Sequence, residues 1–357
     1  MNTKLFKMNE LKIREEDLKM IGQILQTGGL VAFPTETVYG LGANALNPEA
    51  AKKIYAAKGR PSDNPLIIHI SEINAIERII EDFPEKARKI AAEFWPGPLT
   101  MVLRKSEQVP METTGGLTTV AIRMPENSIA KEIIKSGGGY IAAPSANSSG
   151  KPSPTCAEHV QEDLSGKIDA IVDGGEVRLG VESTILDMTQ NQPVILRPGM
   201  ITKEMIENVI GEVEVATARE DDRPKAPGMK YRHYAPKGEM VIVKGIKEEE
   251  VQAIQKLTLE KVEQGRTVGI LASEENADCY SNGIVKVAGS VQKQEEVAKN
   301  LYALLRMFDK ENVEFIFSES FSYEGVGTAI MNRLEKAAGH HIVKAEDIIK
   351  INKNEEE

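Results

Sequence analysis

The sequence predicts an α/β protein of two domains, a mixed twisted sheet followed by a smaller doubly wound, Rossmann-like domain. Three observations predict it: short apolar runs alternate with helical patterns in the first part, a break in charge follows, and a strand–helix–strand rhythm fills the rest. At 357 residues the chain is too long for one small module. Apolar residues make up 41% and charged residues 27%, which excludes a disordered or fibrous chain. No run approaches the roughly 18 apolar residues of a membrane helix, and residues 1–9 lack a signal peptide's apolar stretch. A soluble, cytoplasmic protein with no membrane contact is expected. Cys156 and Cys279 form no CxxC pair, which excludes a disulfide framework and fits a reducing compartment.

The first domain is expected over residues 11–210. Leu18, Ile21 and Leu25 share one helix face, and strands are expected over 30–33, 66–70, 99–103, 120–122, 141–143, 170–172, 184–186 and 194–196. Connections of different length and kind between them point to a mixed sheet. Residues 211–237 form the expected linker. Within it, residues 223–237 hold five Lys/Arg, His233, no acid and three prolines, although the whole chain carries a net charge of −10. The second domain is expected over 238–352, with strands at 240–243, 267–271 and 313–317 and helices at 248–263 and 291–309. Gly325-Val326-Gly327 is not completed to a dinucleotide fingerprint.

Chemistry concentrates at strand ends of the first domain, where α/β sheets bind ligands. After the first strand, Pro34-Thr35-Glu36-Thr37 runs into Gly40 and Gly42; the alternative is an ordinary turn with left-handed glycines. Lys58-Gly59-Arg60 lies in an irregular loop, followed by Asn64, where two cations either face one anion or form an ordinary solvated basic loop. His69 on its strand reads by default as a core histidine. Alternation puts Thr119, Ala121 and Arg123 on one strand face, where Arg123 reads either as a surface cation or as a carboxylate clamp. Ala143-Pro144-Ser145-Ala146-Asn147, Ser153, Ser183 and Arg197 repeat the theme of polar groups at strand ends. No P-loop, HExxH or GxSxG is present, and the five histidines have no zinc-cage spacing. The expected ligand is anionic.

Taken in order, PTETVYGLG, KGRP with DNPLIIHI, VAIRMP, APSAN, GVESTI and LRPG resemble the YrdC-like domain of the threonylcarbamoyl-AMP synthase family. APGMKYRHYAP and GTAIMNRLEKAAG look like its longer, two-domain members. The resemblance implies a nucleotidyltransferase that joins L-threonine, bicarbonate or CO2, and ATP into threonylcarbamoyl-adenylate and pyrophosphate. Downstream transferase proteins would then modify adenosine beside tRNA anticodons, with a weak direct tRNA contact an open expectation. By motif match, Lys58, Arg60, Ser145 and Asn147 would be catalytic. Thr37, His69, Arg123, Ala143 and Ser183 would hold threonine, and Arg60, Asn64, Thr119, Ser145, Ser153, Arg197 and Tyr231 would hold ATP. Mg2+ is expected with ATP, without assigned protein ligands.

Carbamate and polyphosphate repel each other, so cations between them are required, and Lys58, Arg60 and Arg197 would stabilise the developing charge. Residues 226–236 are expected to close over the nucleotide and exclude water. An RNA-binding module is the rival of a different class, disfavoured by 5% aromatic content. A carbamoyltransferase using carbamoyl phosphate is the rival enzyme.

Overall fold

The computed structural model describes residues 2–216 and 233–350, which divide into two compact units. The first holds residues 2–149 and 153–216, the second 150–152 and 233–350. Tyr231 and residues 226–232 of the expected lid lie outside the described residues.

The first unit runs β1 (Lys4–Lys7), α1 (Glu15–Gln26), β2 (Val31–Phe33), β3 (Gly40–Asn44), α2 (Pro48–Lys58), β4 (Ile67–His69), α3 (Glu85–Phe94), β5 (Leu99–Arg104) and β6 (Thr119–Arg123). It continues through α4 (Ser128–Ser136), β7 (Ile141–Ala142), α5 (Ala157–Leu164), β8 (Ala170–Asp173), β9 (Thr184–Asp187), β10 (Val194–Arg197), α6 (Lys203–Ile210) and β11 (Glu214–Val215). The eleven strands form one sheet in the order β1-β8-β2-β3-β7-β4-β6-β5-β9-β10-β11. Pairing is mixed, since β4 runs parallel to β6 while β5 and β7 are antiparallel to their neighbours β6 and β4. Alternation along β6 behaves as the sequence predicts. Val120 and Ile122 enter the main core with Ile68 and Leu186, while Ala121 packs on the other face with Ile67, Val102 and Ile185.

The turn reading of Gly40 and Gly42 fails, because both lie in β3 and neither has positive φ. Their lack of a side chain serves close packing instead. A Cβ on Gly42 would sit 2.6 Å from Phe33 Cε1 and 2.8 Å from Ile141 Cγ2. Helix α2 begins at Asn47, whose Oδ1 accepts from the amides of Glu49 and Ala50, with Pro48 at the first helical position. It ends at Gly59, whose φ of +63° breaks the helix between Lys58 and Arg60.

The second unit contains β12 (Glu239–Lys244), α7 (Lys247–Glu263), β13 (Val268–Ala272), β14 (Ile284–Val287), α8 (Gln294–Lys310), β15 (Phe315–Ser318), α9 (Gly327–Ala337), β16 (Ile342–Lys344) and α10 (Ala345–Lys350). Its sheet is wholly parallel, in the order β14-β13-β15-β12-β16. Helices α7 and α10 cover one face over Val241, Val243 and Ile270, and Phe308 of α8 lies against Gly269. The last long strand starts at Phe315 rather than 313 because Val313 still donates to Phe308 O, after Asn312 turns the chain with φ of 53°. Counted from β12 the order is 3-2-4-1-5, which departs from the dinucleotide-binding order and agrees with the incomplete glycine fingerprint. No helix among the described residues is long and apolar enough to cross a membrane.

Candidate active site

The segment after β2 is stitched to three others by main-chain bonds. Tyr39 N donates to Pro154 O, Leu179 N to Glu36 O, Gly180 N to Thr37 O, and Leu41 N to Pro144 O. Residues far apart in sequence, from Thr35 to Gly180, are thereby brought to one end of the sheet. Thr37 is fully buried, and its hydroxyl lies 2.9 Å from that of Thr35.

Lys58 is 4% exposed, unusual for a lysine. Its ammonium donates to Ser145 O, to Asn147 O at 2.5 Å and to Asn147 Oδ1 at 3.3 Å. The Ser145 hydroxyl donates to the same Oδ1 at 2.6 Å. Three of the four expected catalytic residues therefore form one hydrogen-bonded knot. Arg60, 9% exposed, is held separately by Asn64 Oδ1 at 2.6 Å, Asn64 O at 3.2 Å and Pro65 O at 3.1 Å. Different protein acceptors thus orient the two cations of the Lys-Gly-Arg loop. Each is pre-set, which lowers the ordering needed when an anion arrives.

Arg123 and His69 are register partners across the β4–β6 pair. Arg123 donates from Nη1 to the Thr37 hydroxyl at 2.8 Å and from Nε to Gly97 O at 3.3 Å. Its Nη2 lies 2.7 Å from Glu36 Oε1, a buried ion pair whose angles make no hydrogen bond. Burial and the Arg123 charge lower the His69 pKa from 6.5 to about 3, so the ring is neutral at physiological pH. Its Nδ1 lies 3.1 Å from Ile67 O. Ala143, whose amide also bonds Ile67 O, is fixed on the neighbouring strand edge.

A third cluster sits at the start of β9. The Ser183 hydroxyl lies 2.8 Å from that of Thr100 and accepts from Arg197 Nη2 at 3.2 Å, while Arg197 Nε donates to Ser183 O at 3.1 Å. Ser153 donates to Glu182 Oε1 at 2.6 Å. Gly199 permits this closeness, since a Cβ there would lie 2.4 Å from Thr184 N. Thr119 stands apart, partly exposed at the far end of β6 opposite Arg104. The sequence reading assigned no role to Glu36, Thr100 or Glu182. Strand alternation was the available signal for Thr100, which is the register partner of Arg123. Among the described residues no group of three or more His, Cys, Asp or Glu is placed to hold a metal.

Comparison with known proteins shows the family. The Sua5/YciO/YrdC family model described as Telomere recombination matches residues 23–199, and that described as Threonylcarbamoyl-AMP synthase, C-terminal domain matches residues 201–339. The chain is 49% identical over 336 residues to a Pyrococcus abyssi protein named threonylcarbamoyl-AMP synthase, covering 93% of this chain and 97% of the relative. A Bacillus subtilis protein of the same name is 51% identical over 339 residues, with 94% and 97% covered. The crystal structure of P. abyssi Sua5 complexed with L-threonine matches with a TM-score of 0.90 at 47% identity, covering 96% of this chain and 99% of that one. E. coli YciO, at 21% identity and a TM-score of 0.50, shares the fold of the first unit. This chain belongs to the threonylcarbamoyl-AMP synthase family, as a member with both the YrdC-like domain and the C-terminal domain.

Proposed function

We propose that the protein condenses L-threonine, CO2 or bicarbonate, and ATP into threonylcarbamoyl-adenylate and pyrophosphate. The observation that carries the reading is the set of buried cations of one domain, Lys58 and Arg60 around the end of α2 and Arg123 and Arg197 at the ends of β6 and β10. Every intermediate in this reaction is an anion. At an effective dielectric of about 20, two unit charges 4 Å apart repel by about 4 kcal/mol, which fixed cations offset. The Lys58–Ser145–Asn147 knot and Arg60 are assigned to the transferring α-phosphate, Arg197 to the nucleotide, and Thr37, His69, Arg123, Ala143 and Ser183 to threonine. Holding three small molecules in line contributes roughly 7 to 11 kcal/mol without a covalent nucleophile.

Neutral His69 suits a packing and hydrogen-bonding role and not an acid–base one. Mg2+ is proposed to enter with the phosphates of ATP and to help pyrophosphate leave. The product is proposed to pass to a transferase acting on tRNA adenosine in the cytoplasm. Tyr231 and the lid of residues 226–236 remain assigned to ATP and to water exclusion. Pyrophosphate release tests the reading. Release that requires both threonine and bicarbonate is expected, whereas turnover supported by carbamoyl phosphate, or binding of RNA without ATP consumption, would overturn it.

A further inference from the structure

Glu36 stands next to Thr37, yet no step so far uses it. Its side chain is 4% exposed, and both carboxylate oxygens are buried with no hydrogen-bond partner among the described residues. Arg123 Nη2, 2.7 Å away, is likewise without a hydrogen bond. The pair is in contact as charges while its directional bonding capacity stays unused, an expensive arrangement for groups withdrawn from water. Amino acids are zwitterions, and a zwitterion is complementary to such a pair, its carboxylate to the guanidinium and its ammonium to the carboxylate. We propose that Glu36 receives the ammonium of threonine beside Arg123 and takes its first proton. This rests on the synthase reaction proposed above.

The step balances. One ammonium N–H bond breaks and its proton moves to a Glu36 oxygen. The freed nitrogen lone pair forms the N–C bond to carbon dioxide, and one C=O electron pair moves onto oxygen. Loss of a second N–H proton to solvent leaves the carbamate anion and a neutral Glu36 carboxyl. Glu36 also lines a cleft of about 820 Å³, with Thr35, Glu126, Asp173 and Glu176 among its walls. Lys7 and Arg178 share that wall, and because the Glu36 oxygens are themselves buried the proton passes to water as product leaves, which restores the carboxylate for the next turnover.

The test compares threonine with 2,3-dihydroxybutyrate of the same configuration, which carries a hydroxyl in place of the ammonium. Calorimetry on the wild-type protein is expected to give roughly ten- to a hundredfold tighter binding of threonine. Glu36→Gln is expected to bind both alike while keeping its ATP affinity, and Glu36→Asp to recover part of the preference. In Glu36→Gln the amine must arrive already neutral, so at a fixed dissolved CO2 concentration kcat/KM for threonine is expected to climb tenfold per pH unit through neutrality, where the wild type is flat. Equal wild-type affinity for the two ligands, a Glu36→Gln variant that keeps the preference, or an unchanged pH profile would overturn the role of Glu36. A wild-type protein that bound no threonine at all would instead overturn the synthase reading.

Discussion

Arg123 Nη1 donates to the Thr37 hydroxyl at 2.8 Å, closing a gap of 86 residues in sequence. That bond and the Nε donation to Gly97 O fix the guanidinium plane before any ligand enters. Lysine would keep the charge and lose the planar fork. Arg123→Lys is therefore expected to weaken threonine binding by roughly tenfold or more, with ATP affinity unchanged, as read by separate calorimetric titrations. Equal weakening of both ligands would contradict this division of labour.

Lys58 ties two carbonyls together in the fold and is proposed to act in the reaction as well. Lys58→Met removes the donor shared by Ser145 O and Asn147 O and is expected to lower stability by about 1–3 kcal/mol. Adenylate formation should fall by about 10²–10³-fold in protein that remains folded. A folded variant with wild-type turnover would remove Lys58 from the chemistry.

His69 gives stability a pH dependence of known sign. Its pKa is about 3 when folded and 6.5 ordinarily, so between these values the unfolded chain holds the extra proton. Stability is therefore fully present above about pH 6.5 and is lost as pH falls toward 3, by at most about 1.4 kcal/mol per unit. Urea unfolding from about pH 4.5 to pH 7 should show a shallower slope for His69→Gln than for the wild type. Identical slopes would mean that the imidazole is not buried neutral.

Gly199 is held by a close approach rather than by its φ angle. Gly199→Ala would place a methyl 2.4 Å from Thr184 N and 2.7 Å from Thr184 Oγ1. A loss of about 1–3 kcal/mol in thermal unfolding is expected, together with weaker ATP binding as Arg197 is pushed off Ser183. Wild-type stability and ATP affinity would show that the segment yields freely.

Much of this was legible in the sequence where side-chain chemistry repeats with a period. The apolar runs around Ile68, Met101 and Ile122 marked central strands, and alternation correctly set Arg123 opposite Val120 and Ile122. β3 was not legible, because Gly40 and Gly42 carry a turn signal and only the packing of Phe33 and Ile141 explains them as strand residues. β1, β11, β14 and β16 were missed as well, being short edge strands with little buried surface. Glu36 read as one more polar group, since burial of a single carboxylate depends on partners such as Arg123 that lie far along the chain. The separate holding of Lys58 and Arg60 was equally hidden, because adjacency in sequence says nothing about which carbonyls each cation reaches.

The central claim is that buried cations let repelling substrates meet, and a crystal structure with threonine and a non-hydrolysable ATP analogue tests it most directly. The account predicts the α-phosphate within hydrogen-bond reach of Lys58 or Arg60, with Arg197 on the nucleotide and threonine against Arg123. A complex in which Lys58 and Arg60 kept only their present protein acceptors, remote from both ligands, would contradict it.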